Sequence, residues 1–318
     1  MVFGHGSNHI FLVQHTYNLT TLIYKFDLLF NKDMSTRIHS SGSLGTLIIK
    51  KSIEVNITSF PKTFIYQNNQ GRNVTLATDR DFTTPSADQS WLFHVENVIS
   101  FSWQTQGGKI SYRFLEEATE DIFRFWLYHL VLPIYFSIAQ IYKFLHAGAV
   151  EVDGKSILFM APSHGGKSTL TDYFLQKGDA LITDDKMATF EKDGVYYAVP
   201  SHPYHRPFRL EEVLGHLSEN PATEVKPIHA IYILAKSEPD ADIVIRRLKG
   251  IEKFSRLHEG GEMNFSFFTR DYVTYLSGLA NKVDVFEIAV PHDLERLEEV
   301  YQAIKIHTLA LAPSNKLL

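Results

Sequence analysis

The chain has 318 residues, of which 44% are hydrophobic and 21% charged, and its formal net charge is −5. This balance supports a packed core and excludes an intrinsically disordered chain, and the length favours about two domains. The sequence has no long basic run, which argues against a nucleic-acid surface, and no cysteine, which excludes disulfide scaffolds, thiolate zinc sites and cysteine catalysis.

Residues 1–118 predict a β-rich N-terminal domain. Runs such as TLIYKFDLLF, GTLIIKKSIEVNITSF and WLFHVENVISFSWQ are rich in β-branched and aromatic residues. Turn-forming residues separate these runs, as expected for antiparallel strands. No motif in this region indicates a reaction.

The composition changes after Ala118, which predicts a second domain over residues 119–318. Glu120 and Asp121 favour the start of a helix, because negative charge is stabilised at a helix N-terminus. The apolar stretch 125–142 is marginal in length for a membrane span and contains Pro133, so it predicts a buried, kinked helix. The first residues lack the pattern of a signal peptide, and we expect a cytoplasmic protein that does not bind membranes.

From Leu145 onward, short apolar runs alternate with amphipathic segments, which indicates an α/β domain. The run Lys155–Met160 predicts a buried strand, and Lys167–Lys177 predicts a helix. Gly178 stands where a glycine commonly ends a helix. A strand, a glycine-containing turn and a helix therefore follow one another.

The turn between this strand and helix fits a phosphate-binding loop. The sequence APSHGGKST at Ala161–Thr169 matches G-x-x-x-x-G-K-[ST], with alanine in place of the first glycine. Backbone N–H groups and the helix N-terminus can bind phosphate oxygens, Lys167 can reach the β- and γ-phosphates, and Ser168 can contact Mg²⁺. The alternative is a plain strand–turn–helix with an exposed lysine. The residues predicted to bind nucleotide in this loop are Ser163, His164, Gly165, Gly166, Lys167, Ser168 and Thr169.

An acidic pair and a histidine accompany the loop. Asp184 and Asp185 follow a second predicted strand at 180–182, and strand ends of an α/β sheet meet at one edge. One carboxylate can hold Mg²⁺ and the other can accept the proton of an attacking hydroxyl, or the pair can form a solvated turn. His146 precedes the loop strand and can be structural or contact the transferred group. A metal-hydrolase site at His202 and His205 is disfavoured, because no third ligand is evident.

These segments resemble the C-terminal catalytic domain of the HPr kinase/phosphorylase family. The resemblance rests on His146 followed by small residues, the Gly-Lys-Ser of 166–168, Lys177-Gly178 and Asp184-Asp185. It covers roughly residues 119–308. It implies a phosphoenolpyruvate-carboxykinase-like P-loop catalytic domain, here preceded by a β-rich domain.

The resemblance also implies roles for single residues. Asp184 would be the base near the acceptor hydroxyl, Asp185 and Ser168 would bind the metal, and His146 would lie close to the transferred phosphate, with Lys167 also catalytic. Arg209, which follows a proline-rich turn, would contact the nucleotide.

The sequence as a whole predicts an ATP- and Mg²⁺-dependent kinase that phosphorylates a hydroxyl, with Ser or Thr of a protein or peptide as the preferred acceptor. A small-molecule acceptor and a non-catalytic nucleotide-binding module are the alternatives. The segment Gly260–Phe265 does not match the family's second glycine-rich signature, so neither phosphorylase activity nor HPr itself is implied. The sequence is compatible with a homo-oligomer but does not determine the oligomeric state.

Overall fold

The computed structural model describes residues 10–11, 36–40, 43–52, 60–68, 71–83, 85–162, 164–206, 212–259 and 269–312. The fold is mixed α/β, with two large sheets and few helices among these residues. The chain divides into two compact units. Of the described residues, those up to 141 and residues 212–213 form the first unit, and the remainder form the second.

The first unit is built on an eight-stranded sheet. Its strands are β1 (Ile10–Phe11), β2 (Thr36–Ser40), β3 (Ser43–Lys51), β4 (Lys62–Gln67), β5 (Asn73–Thr78), β6 (Ser90–Val95), β7 (Ile99–Gln104) and β8 (Lys109–Phe114). The order across the sheet is β1-β3-β8-β7-β6-β5-β4, and β2 pairs with β3. β3 and β8 are parallel, whereas the other neighbours are antiparallel.

The apolar segment after Ala118 is helical. It forms α1 (Glu120–Trp126), a π-helical turn (Leu127–Val131) and α2 (Leu132–Ile138). Thr119 caps α1, because its hydroxyl accepts the Ile122 N–H. The π turn directly precedes α2, and Pro133 stands in the first turn of α2. Within the described ranges, no helix is long and apolar enough to cross a membrane.

Aromatic side chains attach these helices to the first sheet. Phe123 of α1 stacks on Phe101 of β7 with ring centroids 5.9 Å apart, and Trp126 lies 5.8 Å from Phe93 of β6. Residues 119–141 therefore belong to the first unit by their contacts, although the composition changes already at Ala118.

The second unit contains the other large sheet, a short hairpin and the remaining helices. Its strands are β9 (Lys143–Val152), β10 (Lys155–Met160), β11 (Ala180–Thr183), β12 (Lys186–Lys192), β13 (Val195–Val199), β14 (Tyr204–His205), β15 (His216–Leu217), β16 (Lys226–Ser237), β17 (Ile245–Arg247) and β18 (Asp284–Pro291). Its helices are α3 (Lys167–Gln176), α4 (Gly250–Glu259), α5 (Thr269–Lys282), the 3-10 turn Leu294–Arg296 and α6 (Leu297–Ala310).

Helices cover both faces of the parallel strands β10, β16 and β18. Successive side chains of β10 point to opposite faces, as in any strand. Leu158 packs in a buried cluster with Leu257 of α4 and Leu276 of α5, whereas Phe159 packs with Phe174 of α3 and with residues of α6. The sheet is thus the middle of three layers, and the loop between β10 and α3 lies where the strand ends.

Candidate functional site

The loop after β10 is a tight turn. His164 and Gly166 have left-handed φ values of 60° and 87°, and the Gly165 N–H donates to the Pro162 carbonyl at 2.9 Å. A Cβ on Gly165 would lie 2.5 Å from the Cβ of Ala161, which is buried at the strand end. The alanine that replaces the first glycine of the motif therefore leaves no space for any residue but glycine at 165.

The loop leads directly into α3. Lys167 is the first helical residue, and its buried ammonium group donates to the Ala161 carbonyl at 2.7 Å. The first N–H groups of a helix have no intrahelical acceptor, so those of Ser168 and Thr169 are suited to an anion. His164 is exposed. Ser163, which was predicted to bind nucleotide, lies outside the described residues.

The acidic pair stands at the end of β11 and is buried. Asp184 and Asp185 expose only 3% and 7% of their surface. The backbone N–H of Arg206 donates to Asp184 Oδ2 at 2.7 Å, and its guanidinium Nη2 lies 3.2 Å from Asp185 Oδ2. His146 Nδ1 lies 2.9 Å from Asp185 Oδ1. The solvated turn considered as an alternative for this pair is therefore wrong.

Asp184 connects the acidic pair with the phosphate-binding loop. Burial raises the pKa of Asp184, and the neighbouring charge of Asp185 raises it further. The Arg206 N–H and charge and the Ser168 hydroxyl act in the opposite direction. The second oxygen of the Asp184 carboxylate, Oδ1, is buried and accepts no well-aligned hydrogen bond. The hydroxyl of the loop serine, Ser168, therefore lies near the Asp184 carboxyl group.

Strand pairing brings His146 close to the acidic pair. β9 lies between β10 and β12, with His146 opposite Lys186, and the Ala147 N–H donates to the Asp185 carbonyl at 3.0 Å. His146 thus occupies β9, which pairs with the loop strand β10. Its imidazole Nδ1 faces the Asp185 carboxylate.

Two residues of this cluster were not predicted to belong to the phosphate site: Arg206, which was not singled out, and His202, which was considered only for the disfavoured metal-hydrolase site. Arg206 contacts the acidic pair, whereas Arg209, the arginine predicted from the resemblance, lies outside the described residues. His202 is buried, and its burial lowers the pKa to about 4, so the ring is neutral near pH 7. The segment HPYHRPFRL shows both arginines, but no spacing rule tells which one faces the carboxylates.

The hydroxyl and carboxylate oxygens of this site suit a Mg²⁺ ion that would also bind phosphate groups of a nucleotide. In the described part of the chain, no three His, Asp or Glu side chains are grouped so that they could hold a metal alone. Mg²⁺ commonly takes one or two carboxylates and completes its shell with water and substrate phosphates. Ser168 and a carboxylate of the acidic pair would offer such a partial shell.

Neither a family model nor a curated protein matches the sequence. Among solved structures, the chain is similar to the Hpr(Ser) kinase/phosphatase from Coxiella burnetii, with 14% identity and a TM-score of 0.34. This similarity covers 52% of the present chain and 97% of the other.

Proposed function

We propose that the second unit is an ATP- and Mg²⁺-dependent phosphotransferase that passes the γ-phosphoryl group to a hydroxyl acceptor. The observation that supports this most is the meeting of Ser168, from the phosphate-binding loop, with the buried carboxylate of Asp184. Charged groups buried at the end of a strand are costly, and active sites are where proteins often retain them.

The loop residues have the properties needed to hold the nucleotide. The left-handed turn and the N-terminus of α3 direct N–H groups and a favourable dipole toward one place. Lys167 has to leave the carbonyl of Ala161 to reach a phosphate, a small movement for a side chain with four methylene groups. Bound Mg²⁺ would neutralise phosphate charge, and Ser168 would contact it.

The carboxylates then have separate tasks. Asp184 accepts the proton of the acceptor hydroxyl. As the acceptor oxygen bonds to the γ-phosphorus, the bond between that phosphorus and the oxygen of the β-phosphate breaks, and ADP is released. Asp185 orients His146 toward the transferred group, and by the family resemblance it would also bind the metal. Arg206 contacts one oxygen of each acid, through its backbone N–H at Asp184 and its guanidinium at Asp185. The other oxygen of Asp185 faces His146.

The proposal extends to fold and acceptor. We assign the second unit to the phosphoenolpyruvate-carboxykinase-like P-loop domains and the chain to the HPr-kinase-like proteins, with Ser or Thr of a protein or peptide as the acceptor. A small alcohol is the alternative acceptor. The test incubates the full chain with Mg²⁺ and ATP labelled in the γ-phosphate, and offers serine peptides, threonine peptides and small alcohols in parallel.

Transfer of the label to a peptide or to an alcohol would identify the acceptor class and support the proposed kinase activity. Binding of ATP without transfer to any acceptor or to water would instead support a non-catalytic nucleotide-binding module.

A further inference from the structure

We propose that Arg206 is a positioning residue that holds both carboxylates of the site in one orientation, an inference that rests on the proposed function. Its backbone N–H binds Asp184 and its guanidinium binds Asp185, so one residue contacts both acids. Neither contact was expected from the sequence. Arg206 does not have to touch the substrate for this role.

Two adjacent buried carboxylates need such a partner. Asp184 and Asp185 repel each other and have lost most of their contact with water. A buried charge is tolerated when it is paired and hydrogen-bonded. Arg206 is itself buried, so its attraction to Asp185 is weakly screened by solvent. Because Asp185 contacts His146 through its other oxygen, the position of Arg206 also determines where His146 lies.

The segment that carries Arg206 is fixed on two sides. His205 Nε2 lies 3.0 Å from Asp172 Oδ1, which ties the segment to α3, the helix that begins at the phosphate-binding loop. On the other side, the stem of Arg206 packs against Gly215. A Cβ at Gly215 would lie 2.6 Å from Arg206 Cγ and would collide with the His205 carbonyl oxygen. These contacts make the position of Arg206 depend on α3 and on the hairpin β14–β15.

A change of the side chain separates the two contacts of Arg206. Arg206→Gln retains the backbone N–H that binds Asp184 but removes the charge beside Asp185. Loss of such a supporting partner commonly costs about 10- to 100-fold in activity. Arg206→Lys restores the charge without the planar guanidinium, so we expect it to recover part of the loss.

The experiment measures kcat and KM for Mg²⁺–ATP, with water as the acceptor and released ADP as the signal, in the full-length protein. Calorimetry with a non-hydrolysable ATP analogue gives binding independently of turnover, and the melting temperature reports folding. Arg247→Gln is the matched control, because Arg247 is an exposed arginine of the same unit that pairs with Asp284. We expect kcat to fall about 10- to 100-fold in Arg206→Gln, analogue affinity to stay within a few-fold, and Arg206→Lys to be intermediate.

A wild-type kcat in folded Arg206→Gln would overturn the positioning role. So would a loss of analogue affinity as large as the loss of kcat, because Arg206 would then act on nucleotide binding. If Arg206→Gln does not fold, Asp172→Ala decides: lower kcat at unchanged analogue affinity supports the role, and wild-type kcat refutes it. A wild-type protein that neither binds the analogue nor releases ADP refutes the proposed function instead.

Discussion

The two units of this protein bury different kinds of side chain. In the described part of the first unit, the core is aromatic, with Trp91, Phe93, Phe101 and Tyr112 almost completely buried. Apart from His129, its buried polar side chains are the uncharged ones of Thr78, Gln89, Ser100, Thr105 and Ser137. The described part of the second unit also buries ionisable groups of both signs, namely Lys167, Asp179, Asp184, Asp185 and Arg206.

The two kinds of buried side chain contribute to folding in opposite directions. Each buried apolar side chain adds stability in proportion to its area, whereas each buried charge costs stability unless its partners compensate. The first unit follows mainly the first rule, and its Glu212 carboxylate, with a side chain 7% exposed, is paired with Arg72. The second unit retains groups that are unfavourable for folding, and four of them surround the loop and strand end assigned to phosphoryl transfer.

The largest expected effect is on the second unit. Asp184→Asn removes the proposed proton acceptor, and we expect turnover of Mg²⁺–ATP to fall by about 10²–10⁴-fold while analogue affinity stays near wild type. Asp185→Asn should lower both turnover and affinity, because Asp185 orients His146 and is assigned to the metal. Asp193→Asn, in the exposed turn between β12 and β13, is the matched control. Turnover at the wild-type rate in Asp184→Asn would exclude it as the base.

The next effect is on the first unit and on stability. Trp91 is completely buried, and its indole N–H donates to the Thr105 hydroxyl at 2.8 Å. Trp91→Ala should lower the free energy of unfolding by about 3–5 kcal/mol, as measured by chemical denaturation. Analogue binding under native conditions should be unchanged. Phe64→Ala serves as the control, because Phe64 is 45% exposed. A matching loss of nucleotide affinity in Trp91→Ala would break the division of roles between the units.

Substitutions at two glycines of the second unit distinguish the effect of a steric clash from that of backbone strain. Gly165→Ala would place its Cβ against Ala161, so we expect weaker analogue binding in calorimetry. Gly178 has a φ of 91° and open space around it, so Gly178→Ala should cost about 1–2 kcal/mol of stability and leave affinity unchanged. Equal analogue affinity in both variants would show that the loop tolerates the added methyl group.

The smallest effect concerns the surface of the second unit. Glu298 pairs with Lys177 and accepts a hydrogen bond from Tyr173, which keeps the pKa of its exposed carboxyl near 2. Because water and salt screen exposed pairs, Glu298→Gln should leave the melting temperature close to that of wild type. A shift as large as that of Trp91→Ala would mean that this exposed ion pair stabilises the protein as much as a buried tryptophan of the first unit does.

Local patterns of the sequence predicted much of the site. The strand Lys155–Met160 has the predicted bounds, α3 begins at Lys167 and ends one residue early at Gln176, and Gly178 has the left-handed conformation expected after a helix. Strand, loop and helix are set by neighbouring residues, so a single sequence is enough to recognise them.

Other features depend on contacts between distant residues and could not be read from the pattern. The choice of Arg206 beside the acidic pair depends on how residues 202–206 cross the end of β11, and no local spacing records that path. Similarly, residues 119–141 belong to the first unit because aromatic rings of α1 meet those of β6 and β7. The composition shift at Ala118 marks a change from strand to helix within that unit.

The central claim, that the loop of the second unit binds nucleotide phosphates, is tested most directly by calorimetry. The full-length protein is titrated with a non-hydrolysable ATP analogue in the presence and absence of Mg²⁺, beside Lys167→Ala and the control Lys192→Ala, an exposed lysine of the same unit. We predict Mg²⁺-dependent binding that Lys167→Ala greatly weakens and Lys192→Ala leaves unchanged. Equal affinity in wild type and Lys167→Ala, or no binding by the wild type, would contradict the account.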